Sequence, residues 1–269
     1  MNIIAFIGGG NMAAAIIGGL LKSGRPAASV LVVDPGDAQR AKLQADFGVR
    51  SFAAADAALA AAATVVWAVK PQIFRAAAAP CAPHVGAALQ LSVMAGIRSD
   101  AIAHASGAAR VVRAMPNTPA LIGQGIAGLY ARAAVTAADR AEVEAVLAPT
   151  GRTLWVEREQ DLDAVTALSG SGPAYVFYFV EAMMQAAREM GLSEAQGKQL
   201  ALATFAGSTA LAEASDEPPG VLRERVTSKG GTTHAALTAL EAGGVKAAFV
   251  RALKAAQQRA RELGDEFGA

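Results

Sequence analysis

A single cysteine, Cys81, in 269 residues excludes an intrachain disulfide and any metal site built on cysteine pairs. Histidine is nearly as scarce. His84, His104 and His234 do not stand at the spacing of a metal-ligand set, so no metal is expected. An excess of charge of one sign is missing too. The 24 basic and 23 acidic residues leave a formal net charge of +1, and no Lys/Arg cluster interleaved with aromatics occurs, so no nucleic-acid partner is expected. Long hydrophobic runs are lacking. The longest apolar stretch, Ala57 to Val69, is rich in alanine and shorter than the roughly 20 residues that span a bilayer, so no membrane span is expected. The chain opens on a strand-like run and not on a basic segment followed by an apolar one, which argues against a signal peptide and for a cytoplasmic protein. At 53% hydrophobic and 17% charged residues, it is not disordered and can bury one large core or two smaller ones.

What is present is ordered. Apolar, β-branched runs at Ile3–Ile7, Val30–Asp34, Thr64–Val69, Leu89–Met94 and Val111–Ala114 alternate with helical patterns at Met12–Ser23, Asp37–Phe47, Ala54–Ala62 and Ile73–Ala78. That alternation predicts an α/β domain with parallel strands and right-handed crossovers, its sheet covered on both faces. Ile126–Tyr130 and Thr153–Val156 extend the sheet, with a helix at Ala137–Leu147 between them. After Glu157 only helices are expected. Gly172-Pro173 opens one that is apolar on every side over Tyr175–Val180, Ser193 to Gln196 reads as a capping box, and Ala247–Leu263 closes the series. The expected division is a dinucleotide-binding domain over 1–158 and a helical domain over 159–269. A helical module of this size covers its core only partly, so the all-apolar helix predicts a subunit interface.

Two glycine-rich loops carry the chemistry. Gly8-Gly9-Gly10-Asn11-Met12-Ala13 sits between a strand and a helix and matches the dinucleotide fingerprint. Gly8 makes the turn, Gly10 admits a pyrophosphate, and Ala13 lets helix and strand approach. Near the other end, Ser228-Lys229-Gly230-Gly231-Thr232-Thr233 precedes a helix and suits a small anion such as a carboxylate. Three further segments fall at strand ends, where open parallel sheets bind ligands: Ala68-Val69-Lys70-Pro71, Ala95-Gly96 and Met115-Pro116-Asn117.

Taken in order, Phe6 to Met12, Ala68 to Gln72, Arg113 to Pro119, Ser169 to Tyr175 and Val226 to Thr233 resemble the pyrroline-5-carboxylate reductase family along essentially the whole chain. The resemblance implies a Rossmann-type, mostly parallel sheet domain followed by an all-α dimerisation domain. It implies reduction of 1-pyrroline-5-carboxylate to L-proline, with a homodimer that can assemble into a decamer of five dimers. It places Gly8, Gly9, Gly10, Asn11 and Met12 at the pyrophosphate. Ala68, Val69, Lys70, Pro71, Ala95, Gly96 and Met115 would line the cofactor cleft, with Asn117 at the substrate. Ser228, Gly230, Gly231, Thr232 and Thr233, from the partner subunit, would hold the substrate carboxylate, and Thr233 would also point its hydroxyl at the ring nitrogen.

Lys229 stands where relatives often carry proline, and Asp34 where those preferring NADPH often carry a small hydroxyl residue. Asp34 favours NADH by accepting from the ribose and repels a 2′-phosphate, while Arg40 offsets it. An exposed aspartate can rotate away, so NADPH is expected, with NADH possible. Two other readings fit the same plan: a β-hydroxyacid dehydrogenase or other imine reductase, and a dinucleotide-binding regulator without turnover. The dehydrogenase needs a lysine early in the helical domain, yet Lys198 is the first lysine after Lys70.

Overall fold

The computed structural model describes residues 2–268. Its first part alternates strand and helix: β1 (Ile3–Ile7), α1 (Asn11–Lys22), β2 (Val30–Val33), α2 (Asp37–Phe47), β3 (Arg50–Phe52), β4 (Ala62–Trp67), α3 (Phe74–Val85), β5 (Leu89–Ser92), α4 (Ser99–Ser106), β6 (Val111–Met115), β7 (Gly125–Ala131), α5 (Ala137–Leu147) and β8 (Gly151–Trp155). Among the described residues these strands form one sheet in the order β3-β2-β1-β4-β5-β6-β7-β8. All neighbours run parallel except β6 and β7. From β1 the chain winds to one edge and then returns past β1 to β4, so a crevice opens beyond the carboxyl ends of β1 and β4.

Both faces of the sheet are buried, which is why its strands read as unbroken apolar runs. Phe6, Val32, Val66, Leu91 and Val112 meet Ile16 and Ile17 of α1 and Val143 of α5 on one face. Ile7, Val65, Trp67 and Val111 meet Phe74, Cys81 and Ile102 on the other. A buried polar group on that second face is satisfied: Trp67 Nε1 donates to Gln90 Oε1 at 2.8 Å, and Gln90 Nε2 donates to the Val85 and Ala88 carbonyls.

Several local features depart from the sequence pattern, among them helix α4, which was not expected. β3 was not expected, because Arg-Ser-Phe has no apolar run; pairing with β2 makes it a strand. The helix expected over Ala54–Ala62 is reduced to a short 3₁₀ turn at Ala57–Ala61, started by the Asp56 carboxylate accepting from Ala58 N–H at 2.8 Å. Helix α3 runs past Pro80 and Pro83. Ala76 and Ala79, whose carbonyls lose their helical partners there, are exposed, so water can take over those bonds.

The chain divides into two compact units. The first runs to Gly172 and includes the segment from Ala255 on, so it keeps α6 (Asp161–Val165) and a π-helical turn at Thr166–Gly170 with the sheet. The second, Pro173–Lys254, holds α7 (Gly172–Glu189) from its second residue, α8 (Glu194–Glu213), α9 (Pro219–Arg225), α10 (Thr232–Ala242) and the first part of α11 (Val245–Gly268). The sheet thus ends near the boundary expected at 158, while the compact unit continues beyond it.

The helical unit buries little of its apolar surface. Val180, Ala187 and Ala201 are buried, α7 and α8 cross where Gly197 meets Ala187, and Phe249 stacks edge-on with Tyr175 and Phe179. Phe177 is 59% exposed, Tyr178 69% and Met190 73%. The apolar helix is therefore not enclosed within its own subunit, and exposure on this scale marks an interaction surface. Among the described residues no helix is long and apolar enough to cross a membrane.

Candidate active site

The fingerprint loop is held by backbone sterics. Gly8 has φ +96°, and a Cβ there would stand 2.7 Å from the Ala68 carbonyl oxygen, so only glycine fits. Its N–H donates to the Val33 carbonyl at 2.8 Å, tying the loop to the end of β2. A Cβ on Gly9 would lie 2.5 Å from Leu43 Cδ1, so that glycine admits α2. Gly10 differs: it is exposed, and nothing lies within 4 Å of where its Cβ would be. Ala13 is fully buried against the sheet, as the fingerprint requires.

Gly10 is also the N-cap of α1. No side chain caps this helix and its first turn has no acidic residue. Three other helix starts are closed by side chains of the protein itself. Thr136 and Asp139 form a capping box on α5, Ser193 and Gln196 form one on α8, and Glu159 reaches the N–H of Ser99 at the start of α4. The unsatisfied N–H groups and positive dipole end of α1, beside an open glycine, fit a pyrophosphate. Next to them, an apolar cavity of about 310 Å³ opens between Val33, Pro35 and Ala54 on one side and Val69, Ile73 and Ala77 on the other. It suits a flat heterocycle such as adenine. Cys81 also lines it, and burial pushes its thiol up to about 11, so it stays neutral.

Asp34 is not the freely rotating carboxylate that the sequence suggests. Its Oδ2 accepts from Gly9 N–H at 2.8 Å and its Oδ1 from Gly36 N–H at 2.9 Å. From α2, Gln39 Nε2 donates to the Gly9 carbonyl at 2.5 Å. The Gly9 residue is thus gripped at both its N–H and its carbonyl. Arg40 is committed as well, donating to the Asp34 carbonyl at 2.8 Å and pairing with Asp37. The role of Gln39 was not legible in the sequence, since nothing in an exposed helical pattern marks a glutamine that reaches back 30 residues.

The remaining cleft positions follow the strand ends. Ala68 N–H donates to the Ile7 carbonyl at 2.8 Å, which brings Ala68 and Val69 beside Gly8; Lys70 is exposed and Pro71 starts a 3₁₀ turn. Ala95 and Gly96 follow β5. Gly96 has φ +75°, and its backbone packs on the end of α11, where a Cβ would come 3.3 Å from the Leu263 carbonyl oxygen. Met115 ends β6 with its Cε against Gly170, 2.6 Å from where a Cβ would stand. Asn117 Oδ1 accepts from Ile126 N–H at 3.0 Å and secures the start of β7. The structure therefore brings Gly8 to Met12, Asp34, Ala68 to Pro71, Ala95, Gly96, Met115 and Asn117 to one end of the sheet.

The second loop belongs to the helical unit. Gly231 is the N-cap of α10, again with no side-chain cap and no acidic residue in the first turn. Gly230 has φ +75°, and a Cβ on Gly231 would lie 2.5 Å from Ser228 Oγ. Thr232 and Thr233 form the first turn, and Ser228 and Gly230 are exposed. Like that of α1, this start leaves its N–H groups and positive dipole end without a capping side chain, a geometry that suits a small anion.

Residues 159–263 match the pyrroline-5-carboxylate reductase dimerisation model, and residues 3–96 match a model described as NADP oxidoreductase, coenzyme F420-dependent. The chain is 45% identical over 267 residues to the pyrroline-5-carboxylate reductase of Pseudomonas aeruginosa, covering 98% of both chains. This chain belongs to the pyrroline-5-carboxylate reductase family. A solved reductase from Coxiella burnetii, 34% identical, superposes with a TM-score of 0.91 over 97% of this chain and 98% of its own. The Plasmodium falciparum enzyme, solved with NADP bound, is 26% identical with a TM-score of 0.86 over 98% of both chains. The family's dimerisation region coincides with the helices whose apolar faces this chain leaves uncovered.

Proposed function

We propose that this chain reduces 1-pyrroline-5-carboxylate to L-proline with NADPH, or NADH, as reductant. The observation that carries the reading is the open, glycine-capped start of α10 in a chain that matches the family over 98% of its length. The N-terminus of α1 with Gly8 to Met12 holds the pyrophosphate, the cavity between Val33 and Ala77 takes the adenine, and Asp34 flanks the ribose. Ala68, Val69, Lys70, Pro71, Ala95, Gly96 and Met115 border the nicotinamide end.

When bound, the dihydronicotinamide supplies a hydride to the imine carbon, and the ring nitrogen takes a proton from solvent to give the secondary amine. The protein's part is positioning. Ser228, Gly230, Gly231, Thr232 and Thr233 of the partner subunit fix the substrate carboxylate, and with it the face of the ring presented. Thr233 places its hydroxyl at the ring nitrogen, donating to the imine or accepting from the iminium, and Asn117 borders the substrate. Lys70 and His234 are neighbours of these groups and carry no proton-transfer role.

The helical unit forms the homodimer, and five dimers can close into a decamer. The functional division falls at 158/159, and the setting is cytoplasmic. An assay of proline-dependent NAD(P)⁺ reduction at alkaline pH tests the function. Turnover of proline separates this reading from a β-hydroxyacid dehydrogenase and from a regulator without turnover; no reaction with proline would refute it.

A further inference from the structure

We propose that Glu159 is a positioning residue for hydride transfer, setting the two walls of the nicotinamide end against each other. The proposal rests on the reading that Ala95, Gly96 and Met115 border the nicotinamide. Glu159 lies beyond the last strand and outside both glycine loops, yet its carboxylate is engaged on every side. Oε1 accepts from Arg113 Nη1 at 2.8 Å and from Ser99 N–H at 2.6 Å, and Oε2 accepts from Ser99 Oγ at 2.6 Å. Arg113 is only 5% exposed.

A buried ion pair of this kind is weak evidence for stability, because desolvation offsets most of the attraction. Replacing such a pair with apolar side chains of similar volume often costs little. What the ionic arrangement adds is direction. Ser99 begins α4 directly after the loop that carries Ala95 and Gly96, and no side chain of its own caps that helix. Glu159 supplies the acceptor across 60 residues. Arg113 lies on β6 two positions before Met115, so both side chains leave the same face of the strand.

A second connection reaches Met115 from the other direction. Glu159 leads into α6 and the π-helical turn Thr166–Gly170, and Gly170 rests on the Met115 methyl. Single π-helical turns are often found at functional sites. Val165, just before the turn, packs where a Cβ on Gly128 would come within 2.6 Å, so the segment lies flat on β7. The carboxylate of Glu159 therefore joins the Ala95–Gly96 loop, the end of β6 and the segment that abuts Met115. Moving it shifts one wall of the cleft relative to the other without touching the pyrophosphate loop.

The test compares wild type, Glu159→Gln and Ser99→Ala with 1-pyrroline-5-carboxylate and NADPH. It measures kcat, the KM for NADPH, thermal unfolding, and the primary isotope effect on kcat with C4-deuterated NADPH. Misplacement by a fraction of an ångström should lower kcat about ten- to a hundredfold in Glu159→Gln while KM for NADPH stays within about twofold. The isotope effect should rise as hydride transfer becomes rate-limiting, with Ser99→Ala, which removes one hydrogen bond, moving less in the same direction. A purely structural role predicts a loss of rate matched by the loss of folded protein, with an unchanged isotope effect. That result in either folded variant overturns the proposal. Turnover by the wild type in the same assay tests the functional reading separately.

Discussion

Replacing Asp34 by serine separates two effects that the structure places on one side chain. The first is mechanical. Asp34 accepts from the N–H groups of Gly9 and Gly36, and Gly9 is buried. Serine offers one shorter acceptor, so one of these donors loses its partner, at a cost of about 1–3 kcal/mol. Thermal unfolding should fall by roughly 2–4 °C per kcal/mol in a chain of this size, and the looser pyrophosphate loop should raise KM for both cofactors alike. The second effect is electrostatic and differs between cofactors. Two charges 4 Å apart interact with about 1 kcal/mol in water and about 4 kcal/mol near a protein surface. The carboxylate cannot escape this by rotating, since that breaks both backbone bonds. Removing it should relieve NADPH by roughly 1–2 kcal/mol, while NADH loses a ribose hydrogen bond of about 1 kcal/mol. The ratio of kcat/KM for NADPH over NADH should therefore rise at least about tenfold. The assay is steady-state kinetics with both cofactors for wild type and variant. If both constants fall together and the ratio is unchanged, Asp34 only braces Gly9 and Gly36, and its placement at the ribose is wrong.

Thr233→Ala should lower kcat by about 1–3 kcal/mol of transition-state stabilisation while NADPH affinity, measured by fluorescence titration, is unchanged; full turnover would remove Thr233 from the mechanism. Phe177→Glu places a charge on the exposed apolar face of α7 and should convert the oligomer to an inactive, smaller species by light scattering, whereas an active wild-type monomer at nanomolar concentration would refute the interface. Asp139 has a lowered pKa: burial pushes it up, but hydrogen bonds from the Thr136 N–H and hydroxyl and the Arg110 guanidinium outweigh that. A depressed carboxylate stabilises the fold above its unfolded pKa and loses that contribution as pH falls through the folded one. Asp139→Asn should therefore be less stable than wild type at pH 7, with the gap in unfolding temperature closing in strongly acidic buffer.

Local chemistry was enough to read the two glycine-rich loops of this protein. Gly8 with its positive φ and Ala13 under the sheet are required by their immediate neighbours, and Gly10 leaves open space beside them, so the three were legible as letters in a row. The same holds for Gly230 and Gly231 before α10, and for strands whose two buried faces make them apolar throughout. The short strand β3 and the helix α4 were not legible. One is paired along the edge that β2 offers, and the other has its first N–H satisfied by a carboxylate from far along the chain.

Long-range pairing also decided what individual side chains do. As letters, Asp34 was a ribose acceptor, Gln39 a helix surface residue, and Arg113 and Glu159 scattered charges. Only the folded chain shows Asp34 and Gln39 gripping Gly9, and a buried Arg113 joined to a partly buried Glu159. The apolar helix α7 falls between these cases. Its sequence required that it be covered, because water does not tolerate so much apolar surface on one helix. Whether the cover comes from its own subunit depends on how the neighbouring helices pack, and here they leave Phe177 and Tyr178 exposed for a partner.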